Sequence, residues 1–174
     1  MSQSVFDRLT QRLCRQDVSH DVLRHAPVYT SAEAAQVRGT TLASGAKALI
    51  CKADDRYVMF VLPADLRLDS RGIRKRYGVR SLRFASGDEV REITGLAPGA
   101  IPPFGSLFDL PTWCDERLAR QERINFNAGD HSISVSMRFD DYAAVERPLL
   151  GAYAVREQTQ NSLPTPTERD RGRS

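Results

Sequence analysis

Apolar residues recur every three or four positions in several parts of the chain, a spacing that places them on one face of a helix. Near the start, Leu9 and Leu13 continue such a stripe, which predicts a helix over residues 4–16. Thr30 followed by Glu33 fits a capping box, the side-chain pattern that satisfies the first free N–H groups of a helix. The further predicted helices cover residues 30–39, 69–77, 86–94, 115–122 and 140–145.

Shorter apolar runs predict strands. Residues 46–50 and 57–62 are two such runs, and the turn-rich tetrad 53–56 between them favours an antiparallel hairpin. From residue 132 to 137, apolar and polar positions alternate with the period of two that a half-buried strand requires. The other predicted strands cover residues 22–23 with a turn at 25–27, then 81–84, 112–114 and 124–126.

The chain has 174 residues, of which 41% are hydrophobic and 27% charged, as is typical of one soluble globular domain. Strands and helices do not alternate strictly, which favours a single mixed α/β domain. After Tyr153 the residues are mostly polar, and Leu163 is almost the only large apolar one. We therefore expect one domain over residues 1–153 and a disordered tail over residues 154–174.

Composition narrows the class of protein further. No apolar run approaches the roughly 18 to 20 residues of a membrane-spanning helix, and residues 2–15 lack the apolar block of a signal peptide, so we expect a cytoplasmic protein without membrane association. Cys14, Cys51 and Cys114 form no C-x-x-C pair and the three histidines show no ligand spacing, so we predict no metal. The net charge of +3 is too small to identify a partner.

A loop rich in proline and glycine is the first candidate site. Its central residues are Gly99, Ala100, Ile101, Pro102 and Pro103. Glycine allows a ligand to approach the main chain closely, and proline fixes the local backbone. Such a loop can hold a small polar group with main-chain atoms, although a rigid surface turn would have the same sequence.

Lys47 is the second candidate. It begins an apolar strand, and alternation places it on the same face as Leu49 and Cys51. A lysine in a buried row needs an anionic partner or a path to solvent, so a ligand-binding role and a solvated strand end both remain open. Lys52 lies on the opposite face, where we expect it to be solvated.

Two polar segments complete the candidates. The turn 127–132, which contains His131, lies between two predicted strands, where its side chains could reach a pocket or could simply be exposed. A basic cluster across the third helix and the next strand could attract phosphates or could be a solvated face. That cluster consists of Arg71, Arg74, Lys75, Arg76, Arg80 and Arg83.

A series of short motifs runs in order along the chain from about His25 to Tyr142. The motifs are His25-x-Pro27, Thr30/Ser31 with Glu33-Ala34-Ala35, Gly45-Ala46-Lys47-Ala48-Leu49, Leu62-Pro63-Ala64-Asp65, Phe84-Ala85-Ser86, Thr94-Gly95, the loop from Gly99 to Gly105, and Asn127-Ala128-Gly129. Taken together and in this order, they resemble a known family, the YbaK/ProX-type aminoacyl-tRNA deacylases, which are related to the editing domain of bacterial prolyl-tRNA synthetase. Within the family, Arg38-Gly39-Thr40 and the 99–104 run are most similar to the free-standing branch that acts on serine- and threonine-mischarged tRNA.

The resemblance implies a mixed, largely antiparallel, barrel-like sheet surrounded by helices, and hydrolysis in trans of the ester of mischarged tRNA. Serine and threonine would be the main substrates and alanine the next, with no cofactor. It implies that Lys47 lies near the terminal adenosine and its phosphate, that the 99–103 loop holds the aminoacyl group, and that His131 can line the pocket. Arg74, Lys75 and Arg76 are candidate tRNA contacts. The partners would be the acceptor end of a charged tRNA and, as a further candidate, an aminoacyl-tRNA synthetase.

Two other functions remain open. A non-catalytic module that binds tRNA or a synthetase would bind charged tRNA without cleaving it. A hydrolase of another small ester could have kept the same scaffold, since fold does not determine function. Cys51 could be proposed as a nucleophile, but nothing in the sequence supplies its base.

Overall fold

The predicted hairpin forms the centre of the largest sheet. In a computed structural model, which describes residues 2–157, β2 (Ala46–Ala53) pairs antiparallel with β3 (Arg56–Pro63) along its whole length. Both strands are buried on both faces, because core clusters lie on either side of the sheet. Ile50 belongs to the cluster that contains Leu9 and Leu13, and Cys51 to the cluster that contains Ile73.

The other elements surround this hairpin. The helices are α1 (Val5–Arg15), α2 (Ser31–Arg38), α3 (Ser70–Tyr77), α4 (Gly87–Thr94) and α5 (Phe139–Glu146), with 3₁₀ turns at Leu42–Ser44, Gly105–Phe108 and Glu116–Arg120. The remaining strands are β1 (His20–Arg24), β4 (Leu66–Leu68), β5 (Leu82–Phe84), β6 (Thr112–Asp115), β7 (Arg123–Asn127), β8 (Ile133–Arg138), β9 (Leu149–Gly151) and β10 (Ala154–Arg156). Among residues 2–157, no helix is both long enough and apolar enough to cross a lipid bilayer.

The strands form three sheets, with orders β5-β2-β3-β6-β9, β1-β8-β7 and β10-β4. Five of the seven strand pairings are antiparallel, and β6 is parallel to both β3 and β9, so the mixed, largely antiparallel α/β class is confirmed. The barrel-like sheet is wrong, because within residues 2–157 no sheet closes on itself. The five-stranded and three-stranded sheets meet through one isolated bridge between Gly45 and Asn125, and a closed barrel needs a continuous ladder there.

The Asp115 side chain explains two places where the observed elements depart from the predicted ones. The Asp115 carboxylate accepts hydrogen bonds from the N–H groups of Arg117, Tyr153 and Ala154. The first of these bonds caps a short 3₁₀ turn where a helix over residues 115–122 was predicted. The other two fix the entry to β10, so the fold continues past Tyr153 into the predicted tail. The tail residues from 158 onward lie outside the described part of the chain.

Candidate functional site

A cavity of about 180 Å³ opens between α2, the start of β2, the end of β7 and the proline-containing loop. The isolated bridge between Gly45 and Asn125 brings two of these walls together. Three predicted segments meet here, since the lining includes Lys47 of β2, Gly99 and Ile101 of the loop, and His131 of the polar turn.

The loop contributes to the cavity with only part of its length. Gly99 and Ile101 line the cavity, whereas Ala100, Pro102 and Pro103 are buried behind its wall. The Ala100 carbonyl accepts a hydrogen bond from the Gly129 N–H at 2.8 Å, and the Pro103 carbonyl accepts one from the Tyr142 hydroxyl at 2.7 Å. The buried residues therefore hold the loop in place.

Gly99 and His131 are in close contact. Gly99 has a φ of +87°, and a Cβ atom there would lie 3.2 Å from Cε1 of His131. On its other side the imidazole packs against Tyr29, with ring centroids 4.8 Å apart. The buried Nδ1 atom of His131 has no hydrogen-bond partner among residues 2–157. Tyr29 also lines the cavity, although nothing in its sequence context indicated this role.

Lys47 is half-buried at the cavity wall, and its Nζ atom donates to the Leu66 carbonyl oxygen. Burial lowers the pKa of Lys47, while the negative charges of Glu157 and Asp65 act in the opposite direction. Within the described residues no carboxylate lies within ion-pair distance of this ammonium group. Lys47 thus brings a positive charge to the cavity without a bonded counter-ion from the described chain.

Arg38 also lines the cavity, whereas the sequence indicated it only as part of the Arg38-Gly39-Thr40 motif and not as a site residue. Its Nε atom donates to Ser134 Oγ at 2.8 Å and its Nη2 atom to Asn127 Oδ1 at 2.7 Å. Burial lowers the pKa of Arg38 to about 10. Helical spacing could have identified this residue, because Arg38 lies four residues after the buried Ala34 on the same face of α2.

The basic cluster lies elsewhere. Arg74, Lys75 and Arg76 are exposed in the last turn of α3, and none of them lines the cavity. Arg76 Nη2 lies 2.7 Å from Asp69 Oδ2, and Arg74 Nε donates to the Arg80 carbonyl at 3.1 Å. The structure therefore gives two of the three side chains partners within the protein.

The buried cysteines are poor candidates for a nucleophile. Burial raises the pKa of both Cys51 and Cys114 to about 12, so at neutral pH nearly all of each thiol is protonated. Neither residue lines the cavity. Across residues 2–157, no three His, Cys, Asp or Glu side chains come together in an arrangement that could hold a metal ion.

Comparison with known proteins shows what this chain is similar to. The model of the aminoacyl-tRNA editing domain matches residues 25–145. The Multifunctional Ser/Thr-tRNA deacylase ProXp-y of Escherichia coli is 34% identical over 148 residues, which cover 82% of this chain and 89% of that protein. The Proline--tRNA ligase of Shouchella clausii is 34% identical over 106 residues, 59% of this chain and 19% of that enzyme.

The fold is found in solved structures as well. One, described as a candidate trans-editing enzyme for prolyl tRNA synthetase, superposes with a TM-score of 0.77 at 23% sequence identity. The match covers 89% of this chain and 99% of that one. At this level of identity the superposition shows a shared fold.

Proposed function

Because the chain belongs to the family of aminoacyl-tRNA editing domains, we propose that it acts in trans and hydrolyses the ester of tRNA mischarged with serine or threonine, and next with alanine. The reaction class predicted from the sequence, hydrolysis of an aminoacyl-tRNA ester, is confirmed by the family and by the deacylase relative. The amino acid and the roles of individual residues are the content of the proposal.

One observation supports the proposal best: Lys47, Gly99, Ile101 and His131 come from three separate segments and line one cavity. A cavity of about 150 Å³ can hold benzene, so the 180 Å³ here has room for a small aminoacyl group. A nucleoside is too large to enter with it. The terminal adenosine would therefore lie at the mouth.

The proposed reaction needs no nucleophile from the protein. The oxygen of a water molecule attacks the ester carbonyl carbon and loses a proton, with help from the neighbouring ribose hydroxyl. The carbon–oxygen bond to the ribose then breaks and the ribose oxygen takes up a proton, which leaves a free amino acid and an uncharged tRNA. Lys47 would orient the terminal phosphate, and N–H groups of the loop would stabilise the developing oxyanion.

The lining of the cavity favours small hydroxylated side chains. Ala34, Ala46 and Ala48 give it small apolar walls within a total volume of about 180 Å³, while Ser31 and Asn125 offer polar groups to a hydroxyl. A single methylene or hydroxyl changes binding in such a pocket by only about 1 to 3 kcal/mol. We therefore expect overlapping activity on serine, threonine and alanine esters, with graded rates.

A hydrolysis screen tests the proposal. The purified full chain would be incubated with tRNAs charged with serine, threonine, alanine or cysteine, and the remaining charged tRNA measured over time against a buffer control. Fastest loss of the seryl and threonyl esters supports the proposal. Binding of all four charged tRNAs without acceleration of any hydrolysis would contradict it and favour the non-catalytic module.

We also propose an aminoacyl-tRNA synthetase as a partner, because related sequence occurs within a proline–tRNA ligase. Such an association would deliver newly mischarged tRNA to the cavity. Co-sedimentation of the purified chain with purified prolyl-tRNA synthetase, with and without tRNA, tests it. Independent sedimentation under both conditions would exclude a stable complex of the two.

A further inference from the structure

A chain of hydrogen bonds connects α2 to the cavity loop. Arg38 Nη2 donates to Asn127 Oδ1 at 2.7 Å, and Asn127 Nδ2 donates to the Gly99 carbonyl oxygen at 2.8 Å. All three residues line the cavity. Gly99, the loop residue with a positive φ, is therefore connected through Asn127 to α2, which lies much earlier in the sequence.

The Arg38 guanidinium group and the Gly99 carbonyl together determine how the side-chain amide of Asn127 is oriented. A guanidinium group can only donate hydrogen bonds and a carbonyl oxygen can only accept them. Asn127 must therefore turn its oxygen towards Arg38 and its nitrogen towards Gly99. An aspartate there could still accept from Arg38, but it could not donate to Gly99.

Arg38 is itself held by neutral groups. Its Nε atom donates to the oxygen of Ser134, a residue only 2% exposed, and that oxygen also lies 2.8 Å from Nε2 of His25. His25 Nδ1 faces the Ala26 carbonyl, so the neutral ring carries its proton on Nδ1 and leaves Nε2 to accept from Ser134. Among residues 2–157 no carboxylate forms an ion pair with Arg38. Arg38 thus binds Ser134 through Nε and Asn127 through Nη2, two donors whose relative positions are fixed by the planar guanidinium group.

We propose that Arg38 and Asn127 are positioning residues, which hold the Gly99 carbonyl and thereby determine which backbone groups of the loop face the cavity. This inference rests on the proposed deacylase function, in which the loop holds the aminoacyl group. Misplacement of a catalytic group by about 1 Å can reduce a rate roughly 100-fold. Loss of either link should therefore lower kcat more than it raises KM.

Two conservative substitutions distinguish this positioning role from a direct contact of Arg38 with a phosphate group of the substrate. Arg38→Lys keeps the positive charge but loses the fork. Asn127→Asp keeps the side-chain size and the contact with Arg38 but loses the donor to Gly99. Arg91→Gln, an exposed arginine on α4, is the matched control.

The first measurement is kinetic, on the ester that the wild-type chain hydrolyses fastest. We expect Arg38→Lys and Asn127→Asp each to lower kcat by roughly 10- to 100-fold with a much smaller change in KM, and the double variant to resemble the worse single one. Arg91→Gln should match the wild type. Full kcat in Arg38→Lys, or losses that multiply in the double variant, would overturn the inference. A raised KM with a shallower salt dependence would also overturn it, in favour of a phosphate contact by Arg38.

The second measurement does not depend on activity. The amide signals of Gly99 and Ala100 in NMR spectra should show increased mobility in both variants, and unchanged signals would overturn the inference. If Arg38→Lys does not fold, Asn127→Asp alone still decides. A wild-type chain that cleaves no charged tRNA would refute the proposed function, whereas the NMR result would still show whether Arg38 and Asn127 hold the loop.

Discussion

Gly99 meets two requirements that no other residue type meets together. Its φ of +87° lies in the region that favours glycine, and the space where a Cβ would stand is bounded by the His131 ring at 3.2 Å. The sequence identified this loop correctly as a shaped segment, because proline and glycine act on the backbone directly. It did not show that only Gly99 and Ile101 of the loop line the cavity, because that depends on Gly129 and Tyr142, which come later in the chain.

Gly99→Ala should therefore reduce both stability and deacylation. The positive φ alone costs roughly 1–2 kcal/mol of folding free energy for a residue with a Cβ, and the added methyl would press on the His131 ring, which would have to shift by a few tenths of an ångström. Gly87→Ala is the control, because a Cβ at Gly87 meets nothing within 4 Å. Thermal unfolding and initial rates would be measured for both variants. Full deacylation activity in Gly99→Ala would contradict the close fit inferred at this position.

Among the helices, α4 is tied into the fold by one carboxylate. Glu89 accepts two hydrogen bonds from Arg83, at 2.8 Å each, and one from the Tyr57 hydroxyl at 2.7 Å. It also closes a capping box with Ser86. These contacts join β3, β5 and the helix that precedes the cavity loop.

The hydrogen bonds from Arg83, and then those from Tyr57 and Ser86, hold the pKa of the Glu89 carboxyl well below its ordinary 4.5. A depressed folded-state pKa adds stability that is fully present above about pH 4.5 and is lost as the pH falls through the folded pKa. The melting temperature of Glu89→Gln should therefore lie below that of the wild type at pH 7, and the gap should narrow at pH 3. Glu92→Gln, which replaces an exposed residue of the same helix, should differ little in melting temperature from the wild type at either pH. A gap for Glu89→Gln that is equal at the two pH values would contradict this account.

An element could be predicted from the sequence when the residues that specify it lie close together along the chain. The helices predicted over residues 30–39 and 86–94 are both present, and each begins with a capping box, which is formed by residues only three apart. Strands β4, β9 and β10 have three residues each and were not predicted. They exist because a distant strand pairs with each of them, and three residues carry little pattern of their own, although β5, which is equally short, was predicted. The open arrangement of the sheets likewise depends on contacts between distant segments.

At the scale of the molecule, the basic residues of α3 lie apart from the cavity. Arg74, Lys75 and Arg76 remain predicted tRNA contacts on α3, outside the cavity wall. Arg76 already pairs with Asp69 and Arg74 with the Arg80 carbonyl, so replacing either would also remove a contact within the protein. Lys75 is therefore the most direct test of this surface.

Lys75→Gln should weaken tRNA binding and make its salt dependence shallower. Each lost phosphate contact changes the slope of log K against log salt by about 0.7 for single-stranded and 0.9 for double-stranded nucleic acid. Binding would be measured at several salt concentrations, with Arg120→Gln, at an exposed position outside α3, as the control. An unchanged slope in Lys75→Gln would assign α3 to a solvated face.

The central claim is that the Lys47 ammonium group and the Gly99 loop act together on one aminoacyl ester. It is tested most directly by the rate at which Lys47→Ala deacylates seryl- and threonyl-tRNA, compared with Lys52→Ala. Lys52 lies on the same strand and is half-buried. Its Nζ atom is 5.6 Å from the centroid of the Tyr57 ring, and the residue does not line the cavity. The account predicts a loss of roughly 100-fold or more for Lys47→Ala, near wild-type rates for Lys52→Ala, and native circular dichroism for both. A folded Lys47→Ala variant that works at the wild-type rate would contradict it.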